Sequence, residues 1–163
     1  MHSGPVIIGY DGTPGSESAL RAAAALLGPR PALLVTVWEA GRVFEAATLP
    51  AQILEGPAVS GLEQRTAFEA QEAGFETAQR VADHGAALAR QAGLEADGLA
   101  VADDITVGET LARLARENDG QAVVIGAHRH HRLERGPGST VTDLLRHAPC
   151  PVLVAGSPDG DGP

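Results

Sequence analysis

Lysine is absent from this 163-residue chain; all twelve of its Lys-plus-Arg positions are arginine. That excludes a Walker-type phosphate loop, whose lysine reaches the terminal phosphates, and all Schiff-base or pyridoxal-phosphate chemistry. Cysteine is nearly absent too. Cys150 stands alone, so no internal disulfide forms, and a reducing compartment, the cytoplasm, is expected. Aromatic residues make up only 3%, so the core must be built from Ala, Val, Leu and Ile. No apolar run approaches the roughly 18 residues of a membrane span. Met1-His2-Ser3-Gly4-Pro5 lacks the basic and apolar regions of a signal peptide. GxSxG, HExxH, CxxC and EF-hand patterns are all missing.

What is present is ordinary for one globular α/β domain: 44% hydrophobic and 20% charged. The net charge of −9 argues against nucleic acid as the main partner, because phosphate must be neutralised by the protein. Charge is unevenly spread. Between Glu39 and Glu76 acidic residues dominate, with only Arg42 and Arg65 opposing them. Between Arg129 and Arg135 the sign reverses, with Arg129, Arg132 and Arg135 among His128, His130 and His131. Such a patch suits a local anion site or a solvated loop.

Strand-length apolar runs at Val6–Gly9, Ala32–Trp38, within Leu94–Ala102, at Ala122–Ala127 and at Val152–Ala155 alternate with helical patterns. Thr13-Pro14 reads as an N-cap with proline in the first turn, and Gly28-Pro29 as the stop. Leu62–Gln91 is helical in spacing and ends at Gly93. Thr106-x-x-Glu109 is a capping box. A short helix over Thr140–His147 precedes the last strand. Residues 39–61 break the pattern and are expected to form a mobile insertion or lid; residues 157–163 read as a disordered tail, leaving 1–156 as one domain. Alternating strands and helices predict a parallel sheet covered on both faces, with ligands beyond the carboxyl ends of the strands.

Two loops stand out at that end. Gly126, closing the fourth strand, permits close backbone approach, and Gly138-Ser139-Thr140 opens a helix with free amides, hydroxyls and a positive dipole end. The same residues also fit a plain helix cap. Asp11, after the first strand, suits a base, a ribose or a turn. His128-x-His130-His131 could chelate a metal only with a third or fourth ligand from elsewhere, and fits an exposed polar loop or phosphate-facing donors better. Cys150 between two prolines reads as a small buried residue.

Taken together, Val6-Ile-Ile-Gly-Tyr-Asp-Gly-Thr-Pro-Gly-Ser16, Thr36-Val37, Val107-Gly108-Glu109, Val124-Ile125-Gly126, Gly138-Ser139 and Ala148-Pro-Cys-Pro-Val-Leu-Val154 resemble the universal stress protein family. The resemblance implies a Rossmann-like three-layer sandwich with a five-stranded parallel sheet, order 3-2-1-4-5, and about four helices. It implies ATP or another adenine nucleotide as ligand, with Mg²⁺ as an optional companion, and a homodimer paired through Val152–Ala155. It places Gly9, Tyr10, Asp11, Val37 and Ile125 around the base and ribose. Gly126, Gly138, Ser139 and Thr140 fall at the phosphates. The nucleotide-binding pattern is Gly-x-x-Gly, nine residues, then Gly-Ser/Thr. Here Arg129 replaces the second glycine and eight residues precede Gly138. An arginine there either strains or obstructs the loop, or pairs with phosphate through its fork of donors.

The expected function is therefore a regulatory nucleotide binder, non-catalytic or slowly hydrolysing. The alternative is a nucleotide-free dimeric interaction module, with no nucleic-acid or membrane partner in either case.

Overall fold

Residues 3–39, 61–103, 106–127 and 139–156 are described by a computed structural model. Of the expected insertion at 39–61, residues 40–60 lie outside them, as does the tail at 157–163. So do Arg129, Gly138 and the histidines of the basic loop.

The first strand, β1 (Val6–Gly9), leads through Asp11-Gly12 into helix α1 (Pro14–Leu27). Thr13 sits at the N-cap with extended backbone, and its hydroxyl accepts the Ser16 amide at 3.3 Å. Pro14 loses nothing in the first turn, where its missing N–H would have had no helical partner. Gly28 ends the helix at φ +69°, a conformation that costs glycine nothing. Strand β2 (Pro31–Trp38) follows, then helix α2 (Gly61–Gln91), strand β3 (Glu95–Ala102) and helix α3 (Val107–Glu117). Strand β4 (Ala122–Gly126), helix α4 (Ser139–His147) and strand β5 (Val152–Ala155) complete the order.

All strand pairings are parallel and the sheet order is β3-β2-β1-β4-β5. Successive residues of a strand face opposite sides, so each strand feeds two cores. Ile8, Tyr10, Leu34 and Val124 join Leu20, Ala23, Ala86 and Ala89 under α1 and α2. Ile7, Val35, Val123 and Ile125 join Leu111, Leu114 and Leu144 under α3 and α4. No helix among the described residues is long and apolar enough to cross a membrane.

Small residues bring α2 close to the sheet. Ala82, Ala86 and Ala89 are fully buried, and a Cβ added at Gly98 would stand 2.7 Å from the Ala82 carbonyl carbon. This closeness lets α2 protect the open edge of β3. The Gln79 amide donates to the Gly98 carbonyl at 3.1 Å, while its oxygen accepts the Ala100 amide at 3.0 Å. Arg90 Nε adds a bond to the Ala96 carbonyl at 2.8 Å. Side chains thus occupy backbone groups that would otherwise recruit another strand.

Because the obstruction at Gly98 is main chain, a methyl there must push helix and strand apart. Gly98→Ala is expected to cost about 1–3 kcal/mol, as overpacking does. In urea unfolding the midpoint should fall with little change in slope. An unaltered midpoint would show that this approach is not tight in solution.

Candidate functional site

Strands β1 and β4 are neighbours, with Ile8 opposite Val124. The helices that follow them leave to opposite faces: α1 lies with the first core and α4 with the second. That reversal is the topological switch point, and the crevice beyond the two strand ends is where ligands bind in open α/β sheets. The N-termini of α1, α3 and α4 all begin at this carboxyl rim, because each helix follows a parallel strand.

The end of β1 is held firmly. The Tyr10 amide donates to the Val35 carbonyl at 2.8 Å, and Thr36 Oγ1, buried, donates to the Tyr10 carbonyl at 2.8 Å. Tyr10 continues the strand's alternation, so its ring enters the core under α2, where Gly85 makes room; a Cβ there would stand 2.6 Å from the ring. Only the main chain of Tyr10 therefore meets the rim. Burial first, then the nearby carboxylates of Glu17 and Asp11, push its hydroxyl pKa up and keep it protonated.

Asp11 is exposed and shapes the turn. Its Oδ1 accepts the Thr13 amide at 3.0 Å and the Thr13 hydroxyl at 2.6 Å. Thr13 in turn caps α1. The carboxylate therefore lies at the mouth of the crevice and also fixes the first turn of the helix beside it. Both roles considered for Asp11, turn residue and ligand contact, are compatible with this position.

Gly9, Val35, Val37 and Ile125 share the face toward α3 and α4. Gly9 is closely covered: an added Cβ would meet Ile125 Cγ2 at 3.1 Å and Leu111 Cδ1 at 3.3 Å. Ile125 is buried. The solvent-reachable positions lie two residues further along the strands, at Asp11, Val37 and Ala127, and at Thr140 on α4, none of which is buried. Gly126 has its own reason for being glycine. A Cβ there would lie 2.3 Å from the Gly15 carbonyl oxygen, so the close approach it permits is made by the first turn of α1.

The first turn of α4 is set by another glycine. A Cβ at Gly108 would stand 2.7 Å from the Thr140 carbonyl oxygen and 2.6 Å from Asp143 Cβ, which brings α3 and α4 together. The expected capping box of α3 is half formed. Thr106 Oγ1 accepts the Glu109 amide at 3.2 Å, but Glu109 does not return a bond, and its Oε2 is buried with no hydrogen-bond partner. Glu109 is thus a second carboxylate at the rim that the cap reading concealed. Cys150 packs against the second core, and burial pushes its thiol pKa up, which suits a packing residue and not a nucleophile. No cluster of three metal-ligating side chains occurs among the described residues.

The model of the universal stress protein family matches residues 3–156. Among solved structures, the hypothetical protein MJ0577 superimposes with a TM-score of 0.72 at 15% identity, covering 98% of this chain and 100% of that one. A universal stress protein from Archaeoglobus fulgidus gives 0.62 at 21% identity, covering 93% and 97%. A family protein from Arabidopsis thaliana, solved with AMP bound, gives 0.60 at 12% identity, covering 98% and 95%. Similar folds have also been solved with dAMP, from Archaeoglobus fulgidus, and with cAMP. No curated protein matches the sequence at a significant level. These likenesses agree with the sheet order and helix placement above, and the family model spans nearly the whole length: the chain belongs to the universal stress protein family.

Proposed function

We propose that this protein is a regulatory binder of an adenine nucleotide, held at the crevice between β1 and β4. The observation that carries the reading is the switch point itself, with exposed Asp11 at one strand end and the N-terminus of α4 beyond the other. The charges on the helices support it. Helices α1 and α3 carry Glu17 and Glu109 in their first turns, whereas α4 carries no acidic residue there and ends in Arg146 and His147. A helix N-terminus without its own carboxylate favours an incoming anion. The AMP, dAMP and cAMP complexes of similar folds point to the same class of ligand.

In this reading Val37 and the main chain at Gly9 and Tyr10 border the base, and Asp11 accepts from the ribose hydroxyls. Ile125 forms the apolar floor. Phosphates meet the amides and hydroxyls of Ser139 and Thr140, with Gly126, Gly138 and Arg129 completing the loop. Any Mg²⁺ would be carried on the phosphate oxygens. ATP is one candidate, and the protein is non-catalytic or at most slowly hydrolysing: with no lysine, only Mg²⁺ and arginine could balance charge in phosphoryl transfer.

Calorimetric titration with ATP, AMP and cAMP tests this, and saturable heat from at least one is expected. A hydrogen bond to a charged group contributes about 1.5–3 kcal/mol, so Asp11→Ala should weaken binding by roughly ten- to hundredfold. Asp11→Ala also removes the acceptor for Thr13, so unfolding midpoints should be compared. Asp11→Asn keeps a turn acceptor and separates the two roles. Silence from all three nucleotides at millimolar concentration would end the reading.

The alternative reading, a nucleotide-free dimeric interaction module, has support at the edges of the sheet. The edge of β3 is occupied by Gln79 and Arg90. No described side chain bonds the outer edge of β5, where Val154 is 39% exposed. In the proposed homodimer the β5 strands of two copies pair. Val154→Asp would place like charges at that seam, and sedimentation should show a shift from dimer to monomer. A mass indifferent to this change, or monomeric in the parent protein, would exclude the pairing.

A further inference from the structure

We propose that the N-terminal half of α2 is a docking surface for a basic amphipathic helix of another protein. With 31 residues, α2 runs to about 46 Å at about 1.5 Å per residue. The eight-residue strands it covers span only about 26 Å. The helix therefore overhangs the carboxyl rim. Ala78, Ala82, Ala86 and Ala89 form its buried stripe over the sheet. Going backwards along the helix, Gly74 and Phe75 still touch Trp38, the last residue of β2, with the Trp38 and Phe75 ring centroids 6.4 Å apart. Beyond that the stripe continues with little cover from the described residues: Phe75 is 44% exposed and Phe68 is 70% exposed.

These are two of only three phenylalanines in a chain with 3% aromatic residues. Seven residues apart, they lie on one face, separated by two turns, about 10 Å along the axis. That spacing supplies the i and i+7 anchors by which one helix lies along another, with Gln71 and Glu72 at the positions between them. Glu72, four after Phe68 and three before Phe75, stands beside both; Glu69 and Glu76 follow on the same flank. None of the three glutamates is in an ion pair among the described residues.

The charge selects the occupant. A second copy docked antiparallel about the midpoint between the phenylalanines would bring Glu72 against Glu72 beside an apolar contact, which is unfavourable. A helix with Leu or aromatic anchors and Lys or Arg flanks satisfies both the rings and the carboxylates. The surface uses none of the residues placed at the nucleotide site or at the β5 edge.

The probe is a Leu/Lys amphipathic peptide of about 18 residues, labelled for fluorescence anisotropy, with a control in which every Lys is Glu. The Lys peptide should bind and the Glu peptide should not. Phe68→Ser changes a side chain that is mostly in solvent, so folding should be unaffected while affinity falls by about tenfold or more. Phe75→Ser and Glu72→Lys should each weaken binding as well. Equal binding by the Phe68→Ser protein, or by the Glu peptide, would overturn the proposal. So would a concentration-dependent increase in mass that Phe68→Ser abolishes, since the occupant would then be a second copy.

Discussion

The first turn of α1 lies so near the end of β4 that a methyl at Gly126 would overlap the Gly15 carbonyl. This contact determines how the rim is built. It seats α1 across β4 as well as β1, and so places the N-terminus of α1 beside the switch point. It also requires the turn after β1 to be tight, which Asp11 achieves by accepting both the amide and the hydroxyl of Thr13. Thr36 then locks the Tyr10 carbonyl from β2. Three strands, one helix and one carboxylate are thus fixed relative to one another by hydrogen bonds that need no ligand. A preformed rim of this kind lowers the ordering cost of binding.

The shortage of aromatic residues has a structural counterpart. Alanine along α2, with glycine at Gly85 and Gly98, lets the helix lie close on the sheet, where bulkier side chains would have held it away. Close packing recovers through dispersion contacts some of what small side chains forgo in buried area. It also brings Gln79 and Arg90 within reach of the β3 backbone, so one edge of the sheet is closed by side chains from the same helix. Among the described residues no helix side chain bonds the backbone of the opposite edge in this way. The asymmetry between β3 and β5 follows from which layer each helix joins.

Much of the architecture was legible in the residues, because the strands are short apolar runs and the helices carry explicit caps. Thr13-Pro14, Gly28, Gly93 and Thr106 mark boundaries that agree with the structure to within a residue. The site was legible only as a neighbourhood. Tyr10 was placed among the base contacts by resemblance, whereas strand alternation carries its ring into the core. Gly126 read as a glycine that lets a ligand approach, and the structure adds that α1 also passes close to it. Glu109 read as half of a reciprocal cap, but its carboxylate does not return to Thr106. In each case the missing information was three-dimensional: which face a residue past the strand end takes, and which element arrives above it. Local spacing does not encode either. Arg129, where the sequence departs from the nucleotide-binding pattern, lies outside the described residues.

The overhang of α2 follows from the same economy. A helix anchored by alanines needs length to gain enough contact, and α2 extends well beyond the strands it covers. Had the surplus been a mere by-product, polar residues would be expected all round it, as on any solvated helix end. Instead the stripe that packs Ala78 to Ala89 on the sheet carries on as Phe75 and Phe68, in a chain that otherwise spends few aromatic residues anywhere. Large apolar side chains in solvent favour association, and their flanking glutamates restrict what can associate. A protein whose first strand end is already held by Thr36 and Asp11 can present a second surface beside that rim.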